Sequence, residues 1–152
     1  MIGDSSRVKL TSKLIDSLYT EAMLLADEAR AYFDEHGRGD RLALEPVLRV
    51  GFSCESLKVT TRLMHVIAWL LTQRAVEAGE IPVSEARSPM RRLGEAAESD
   101  FELLARLPKE AIQLVEGSRE LYARVERLDQ GGAGEPVASP ARSLISRLER
   151  SL

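Results

Sequence analysis

The chain has 152 residues, of which 44% are hydrophobic, and this is enough to form one domain with a buried core. Its 21 basic side chains nearly balance 24 acidic ones, and the net charge of -3 excludes a chain-wide positive field for nucleic acid or an acidic membrane. The single cysteine, Cys54, excludes an intramolecular disulfide and fits a reducing compartment.

No segment of the sequence predicts export or insertion into a membrane. The amino-terminal residues lack the apolar core and the small-residue cleavage site of a secretory signal, which predicts a cytoplasmic protein. The longest apolar run, residues 63–71, is about half the roughly 20 residues that a membrane-spanning helix needs. We therefore expect no membrane partner.

The first predicted element is a long amphipathic helix over residues 10–36. Its apolar positions recur at steps of three and four residues, which is the spacing of one helix face. Gly37 and Gly39 follow it, and we expect them to end the helix by adopting positive φ angles.

A second long helix is predicted from Glu45 and Pro46 to about Glu77, since proline is tolerated in a first helical turn. Residues 63–71 are apolar at every position except His65, so this helix must be covered on at least two sides. The two apolar faces are Val50, Leu57, Met64, Ala68, Leu71 and Ala75, and beside them Phe52, Val59, Leu63, Val66 and Leu70.

Covering both faces requires either other helices of the same chain or a second copy of the protein. We expect an assembly surface here, rather than an active site. The sequence does not separate a homodimer from a monomer in which residues 93–107 or the carboxy-terminal tail cover the second face.

A narrow polar strip lies between these faces, and we interpret it as a surface that recognises a partner. An aromatic residue flanked by arginine is typical of interface hot spots. The alternative is that Trp69 packs over the stem of Arg62 or under another helix. A lone histidine on a helix is usually structural, so catalysis is not expected. The strip consists of Lys58, Arg62, His65, Trp69 and Gln73.

Shorter elements are predicted between the second and third long helices. Gly79 closes the second helix, Ser84 is expected to cap a short helical piece, and residues 88–107 contain one or two further short helices. Pro108 opens the third long helix. No stretch alternates as an amphipathic strand does, so we predict an all-α bundle of three long helices.

The carboxy-terminal part has a different composition. Residues 130–139 contain three glycines and one proline, which is typical of a flexible linker. Leu144, Ile145 and Leu148 then line one side of a segment too short for a stable isolated helix. We predict that it binds a partner or folds back onto the bundle. The chain is thus divided into a bundle domain, 1–129, and a linker with an amphipathic tail, 130–152.

The sequence lacks the constellations of an enzyme or a metal site. A di-iron bundle needs Glu three residues before His. Here that position holds Phe33 before His36 and Arg62 before His65. Cys54 and His65 would lie about 16 Å apart along one helix, too far to share zinc. There is no phosphate-binding loop and no nucleophile elbow. We expect a protein without catalytic residues, metal or cofactor.

One basic cluster, Arg87, Arg91 and Arg92, keeps an alternative function open, namely a helical DNA-binding or ligand-sensing transcriptional regulator. No second helix of suitable length follows the cluster, and aromatic residues are not interleaved with it. Nucleic acid is therefore not the expected partner.

Several segments between residues 57 and 129 share the pattern of one known family. They are Leu-Lys-Val-Thr-Thr-Arg-Leu-Met-His-Val, Ala-Trp-Leu-Leu-Thr-Gln-Arg-Ala-Val, Gly-Glu-Ile-Pro-Val-Ser-Glu-Ala-Arg, Leu-Pro, Ser-Arg-Glu-Leu-Tyr-Ala-Arg-Val and Arg-Leu-Asp. In these segments the sequence resembles the RcdA family, named for regulator of CtrA degradation. The resemblance covers most of residues 45–129.

The resemblance implies a small dimeric helical-bundle adaptor of alphaproteobacteria that has no catalytic residue. Such adaptors bind the ClpXP protease after a CpdR-like protein has primed it, and they recruit cell-cycle regulators such as CtrA. A PopA-like protein that binds cyclic di-GMP joins them to deliver CtrA. The resemblance also implies a flexible carboxy-terminal tail, residues 131–152, and a cytoplasmic location at the cell pole.

Overall fold

A computed structural model of the protein describes residues 2–131 and Leu148, with side chains described from residue 11 onward. Within residues 2–131 the chain forms six α-helices and no strand. Three helices are long: α1 (Ile2–Ala31), α3 (Pro46–Glu77) and α6 (Lys109–Gln130). The predicted all-α bundle of three long helices is confirmed.

Short elements connect the long helices. Those between the second and third long helices are predicted, whereas the helical elements between the first and second stand where the sequence predicts a loop. A π-helical turn (Tyr32–His36) and α2 (Arg38–Leu42) join α1 to α3. Three short pieces lie between α3 and α6: α4 (Val83–Ala86), a 3-10 turn (Pro89–Arg91) and α5 (Phe101–Leu104). Residues 92–100 have no regular secondary structure, and we name them the strap.

The central helix of the fold is α3, which packs against both α1 and α6. One of its predicted apolar faces is confirmed as core, because helical periodicity brings these residues to the side that faces the other long helices. The residues of this face are Phe52, Val59, Leu63, Val66 and Leu70, and each is at most 3% exposed.

The first corner of the fold differs from the prediction. Gly37 has a φ of -84° and Gly39 lies inside α2, so the expected positive φ angles are wrong at both. Instead, the chain widens into a π-helical turn in which the Gly37 amide donates to Tyr32 O at 2.6 Å. A Cβ at Gly37 would lie 2.6 Å from that oxygen, so close approach is what requires glycine. Gly79, with φ of 76°, closes α3 as predicted.

The predicted cap of the fourth helix is also wrong. Ser84 lies inside α4, and the helix begins after Pro82, whose extended backbone leads directly into Val83. A side-chain cap is found instead on α5, where Asp100 accepts a hydrogen bond from the Leu103 amide at 3.2 Å.

Substituting the two corner glycines should have opposite effects. We expect Gly37→Ala to lower the free energy of unfolding by about 1–3 kcal/mol, because the new methyl group overlaps Tyr32. Gly39→Ala has no atom within 4 Å of its new Cβ and should raise it by about 0.5–1 kcal/mol. Urea unfolding of both variants measures these changes in the free energy of unfolding. Equal effects would contradict the close-approach explanation.

Candidate partner-binding site

The outward side of α3 carries an uncharged stripe along most of the helix. Eight exposed residues recur alternately at steps of three and four, as the a and d positions of a coiled coil do. Leu57 and Val47 are 67% and 78% exposed, and no exposed residue of α3 between residues 47 and 71 is charged. We name this stripe the α3 seam: Val47, Val50, Cys54, Leu57, Thr61, Met64, Ala68 and Leu71.

The α3 seam contains five of the six residues of the other predicted apolar face of this helix. Five of that face's six residues are exposed, whereas Ala75 is half-buried. Residues 93–107 cross a different side of α3 and leave the seam uncovered. A contiguous exposed apolar patch of this kind is typical of interaction surfaces.

The predicted polar strip is mostly inside the fold. Arg62 and Trp69 are each 2% exposed, and Gln73 is also buried, so the expectation of an accessible strip is wrong for these three. Lys58 and His65 are half-buried. The physical reason is that the strap and the segment following it lie over this side of α3, where Arg62 and Trp69 donate hydrogen bonds within the chain.

Arg62 holds the strap against α3 and α6. Its guanidinium group donates to Ala97 O at 3.0 Å, to Ser99 Oγ at 2.8 Å and to Ser118 Oγ at 3.2 Å. All three acceptors are neutral. Burial lowers the pKa of Arg62 below its usual range, because the charged form has lost water. One side chain therefore joins the central helix, the strap and α6.

Two further side chains of α3 hold the ends of the strap, Glu55 directly and Trp69 through Asp129 of α6. Trp69 Nε1 donates to Asp129 Oδ1 at 3.0 Å, and Arg92 Nε donates to the same oxygen at 2.8 Å. At the other end, Glu55 is fully buried and its Oε1 accepts from the Asp100 amide at 2.8 Å. The strap thus runs along α3 from the level of Trp69 to the level of Glu55.

Arg91 and Arg92 of the basic cluster have carboxylate partners in the fold. Arg92 binds Asp129, and this hydrogen bond raises the pKa of Arg92. Arg91 lies 3.6 Å from Glu85 Oε1. These pairings reduce the positive potential that a DNA backbone would need at this surface.

A polar cavity of about 340 Å³ lies between the strap and α6. Arg119 at its wall donates to Glu98 Oε1 at 2.9 Å, and this hydrogen bond lowers the pKa of Glu98. Tyr122 spans to the strap by donating to Gly94 O at 2.7 Å. Neither here nor elsewhere in the described residues do three or more His, Cys, Asp or Glu side chains converge as metal ligands do.

Comparison with known proteins decides the family. Residues 6–152 match the family described as "Protein of unknown function (DUF1465)". The crystal structure of RcdA from Caulobacter crescentus CB15 is 38% identical in sequence, with a TM-score of 0.63 over 77% of this chain and 88% of that chain. The chain belongs to the RcdA family. A search of curated proteins gives no match.

Most of the side chains that hold the strap lie in the segments that resemble the RcdA family. Arg62 and Ser118, which bind each other, lie in two different segments, and so do Trp69 and Asp129. Tyr122, which binds the strap, lies in the same segment as Ser118. In this RcdA-family chain these motif residues therefore have intrachain partners.

Two of the predicted tail residues, Leu144 and Ile145, lie outside the described residues, as does the linker over 132–139. Leu148 is helical and 55% exposed. The division into a bundle and a tail, and the role of these three residues in partner binding, stay predictions. In the part of the chain that the structure describes, no helix is both long and apolar enough to cross a membrane.

Removing the Arg62 side chain should release the strap. We expect Arg62→Met to lower the free energy of unfolding by about 1–3 kcal/mol, because buried oxygens of the strap and α6 lose their donor. Hydrogen exchange should accelerate in residues 92–100. The control is Arg30→Met, since Arg30 is exposed and its ion pair with Asp27, at 3.7 Å, is exposed to water as well. This variant should change the free energy of unfolding by less than about 0.5 kcal/mol. Unchanged strap exchange in Arg62→Met would refute this role.

Proposed function

We propose that this protein is a noncatalytic adaptor in regulated proteolysis, which delivers cell-cycle regulatory proteins to the ClpXP protease. The observation that carries the proposal is membership of the RcdA family at 38% identity to RcdA itself. The described surfaces also support it, since the most distinctive of them is an apolar stripe suited to protein contact.

The partners in this proposal follow the resemblance to the RcdA family. ClpXP is bound after priming by a CpdR-like protein, and the cargo consists of regulators such as CtrA. A PopA-like cyclic di-GMP-binding protein takes part in delivering CtrA. We place this assembly in the cytoplasm at the cell pole, without metal, cofactor or membrane partner.

Two elements are proposed to contact these partners. The first is the tail, in which the spacing of Leu144, Ile145 and Leu148 predicts an apolar stripe beyond a glycine-containing linker. The second is the accessible remainder of the polar strip, Lys58 and His65, which are half-buried beside the strap. Buried residues of the strip take no part in this proposal.

A reconstituted degradation assay tests the adaptor function. With ClpXP, the CpdR-like and PopA-like proteins and cyclic di-GMP present, adding this chain should accelerate loss of CtrA. Leu148→Glu should abolish the acceleration, because it places charge in the apolar stripe of the tail. Ser146→Glu, on the other side of the same predicted helix, should retain it. If the chain does not bind ClpXP with or without the primer, the adaptor proposal is wrong.

The α3 seam is proposed to pair with a second copy of the chain, as the RcdA resemblance implies. Burying eight uncharged residues gives the apolar core that a homodimer interface requires. A charge introduced there would be desolvated on pairing, so a single substitution should separate the copies.

Molecular mass in solution tests the homodimer. Sedimentation at micromolar concentration should give twice 16.8 kDa for the wild-type chain, and 16.8 kDa for Leu57→Glu with its helical circular dichroism retained. The matched control is Leu24→Glu on α1, since Leu24 is 65% exposed but lies outside the seam. That variant should remain dimeric. A monomeric wild-type chain, or a dimeric Leu57→Glu variant, would refute pairing through the seam.

A further inference from the structure

We propose that the carboxy-terminal tail docks, through its arginine side chains, in the polar cavity between the strap and α6 of the same chain. Arg147 and Arg150 of the tail pair with Glu95 and Glu126 at the walls of that cavity. The charges of the cavity, the charge of the tail and the place where α6 ends support this contact. It concerns the chain itself and goes beyond the adaptor function proposed above.

Two carboxylates at the cavity have no counter-charge in contact with them. Glu95 of the strap and Glu126 of α6 are both exposed, and among the described residues neither has a hydrogen-bond or ion-pair partner. Both lie near Tyr122, since burial first, and then these two carboxylates, raise the pKa of its hydroxyl. The cavity thus places two carboxylates around one aromatic ring, and such a site suits a cation.

The two cations that line the same cavity are engaged elsewhere. Arg119 is bound by Glu98 at 2.9 Å and by Glu116 at 3.2 Å. Arg62 is 2% exposed and donates to acceptors of the strap and of α6. Neither guanidinium group is therefore available to neutralise the two remaining carboxylates.

The strap extends this negative charge beyond the cavity. Residues 93–102 contain four acidic side chains and neither lysine nor arginine. A cation that approaches the cavity is therefore attracted along this stretch, over a distance of about 10 Å at moderate salt. The four acidic residues are Glu95, Glu98, Asp100 and Glu102.

The tail carries the opposite charge. Residues 140–152 contain three arginines and one glutamate. Two of the arginines, Arg147 and Arg150, are three residues apart, so they share one side of the helix that the sequence predicts. A guanidinium group binds a carboxylate through a planar fork of donors and can also stack on an aromatic ring such as that of Tyr122.

The end of α6 places the tail within reach of the cavity. Glu126 and Tyr122 precede Gly131 by five and nine residues, which is about 8 and 14 Å along the helix. Residues 132–141 can span up to about 33 Å when extended. A short linker of this kind gives an effective concentration on the order of 1 mM, so a contact with a Kd of about 1 mM is about half occupied. The cavity of the same chain is therefore the nearest acidic site.

Docking through these arginines leaves the apolar stripe of the tail accessible. At 100° per residue, the stripe of Leu144, Ile145 and Leu148 is centred about 140° from the midpoint of Arg147 and Arg150. Leu148 is 55% exposed, in agreement with a stripe that faces water. The strap then holds the tail beside α6 with its apolar side directed outward.

Paramagnetic relaxation in the full-length chain measures this contact. Cys54→Ala removes the native thiol, which is exposed, and Ser151→Cys carries a nitroxide label next to Arg150. In low salt, the label should broaden the amide signals of residues 94–98 and 122–126 and leave those of α2 unchanged. Salt at about 1 M, which shortens the Debye length to about 3 Å, should remove the broadening.

Charge variants separate docking from chance proximity of the label. Glu95→Gln combined with Glu126→Gln should remove the broadening at residues 94–98, because the arginines lose their partners. The matched control is Glu110→Gln combined with Glu120→Gln, which removes two exposed charges of α6 outside the cavity and should retain it.

Exchanging the charges should restore the contact. Arg147→Glu and Arg150→Glu together should remove the broadening, and adding Glu95→Arg and Glu126→Arg should bring it back. The substituted side chains of the bundle are exposed, so the core is unchanged.

Three outcomes would overturn the proposal. They are no broadening at the strap, broadening that neither salt nor the loss of the two cavity carboxylates changes, and failure of the exchanged charges to restore it. A mixture of isotope-labelled chains without nitroxide and unlabelled chains with nitroxide tests the same-chain contact, and broadening in that mixture would overturn it. None of these results bears on the adaptor function, which the degradation assay decides.

Discussion

The buried guanidinium group of Arg62 is the constraint on which the arrangement of this bundle depends. A charged side chain at 2% exposure is stable only when its donors are bound, and the acceptors come from the strap and from α6. The strap in turn has no regular secondary structure to satisfy its own carbonyl groups. Arg62 therefore supplies hydrogen-bond donors to the strap, and the strap supplies acceptors to Arg62. Together they turn the polar side of α3 inward.

Turning that side inward has a consequence for the rest of the central helix. Its apolar face packs between α1 and α6, its polar strip lies under the strap, and the α3 seam is left facing outward. Leu57 and Met64 are exposed for this reason, although the sequence around them is among the most apolar in the chain. The surface that we propose for assembly is thus determined by a polar contact on another side of the same helix.

The sequence predicts the parts of this structure that depend on local periodicity and local geometry. The three long helices, proline at the start of α3 and the end of α3 at Gly79 all follow from neighbouring residues. The burial of Arg62 could not be predicted in the same way, because Ala97 and Ser118 are 35 and 56 residues away and the strap has no repeating pattern. The recurrence of the seam residues at steps of three and four is visible in the sequence. Whether that face of α3 is exposed or buried depends on those distant contacts.

The accessibility of Cys54 tests this account most directly, since the residue lies in the seam and is the only cysteine of the chain. A thiol reagent should modify Cys54 of the wild-type protein quickly at low protein concentration and progressively more slowly as the concentration rises and the copies associate. A Cys54 that reacts slowly at every concentration would contradict an outward seam. A fast rate that does not change with concentration would contradict its role in assembly.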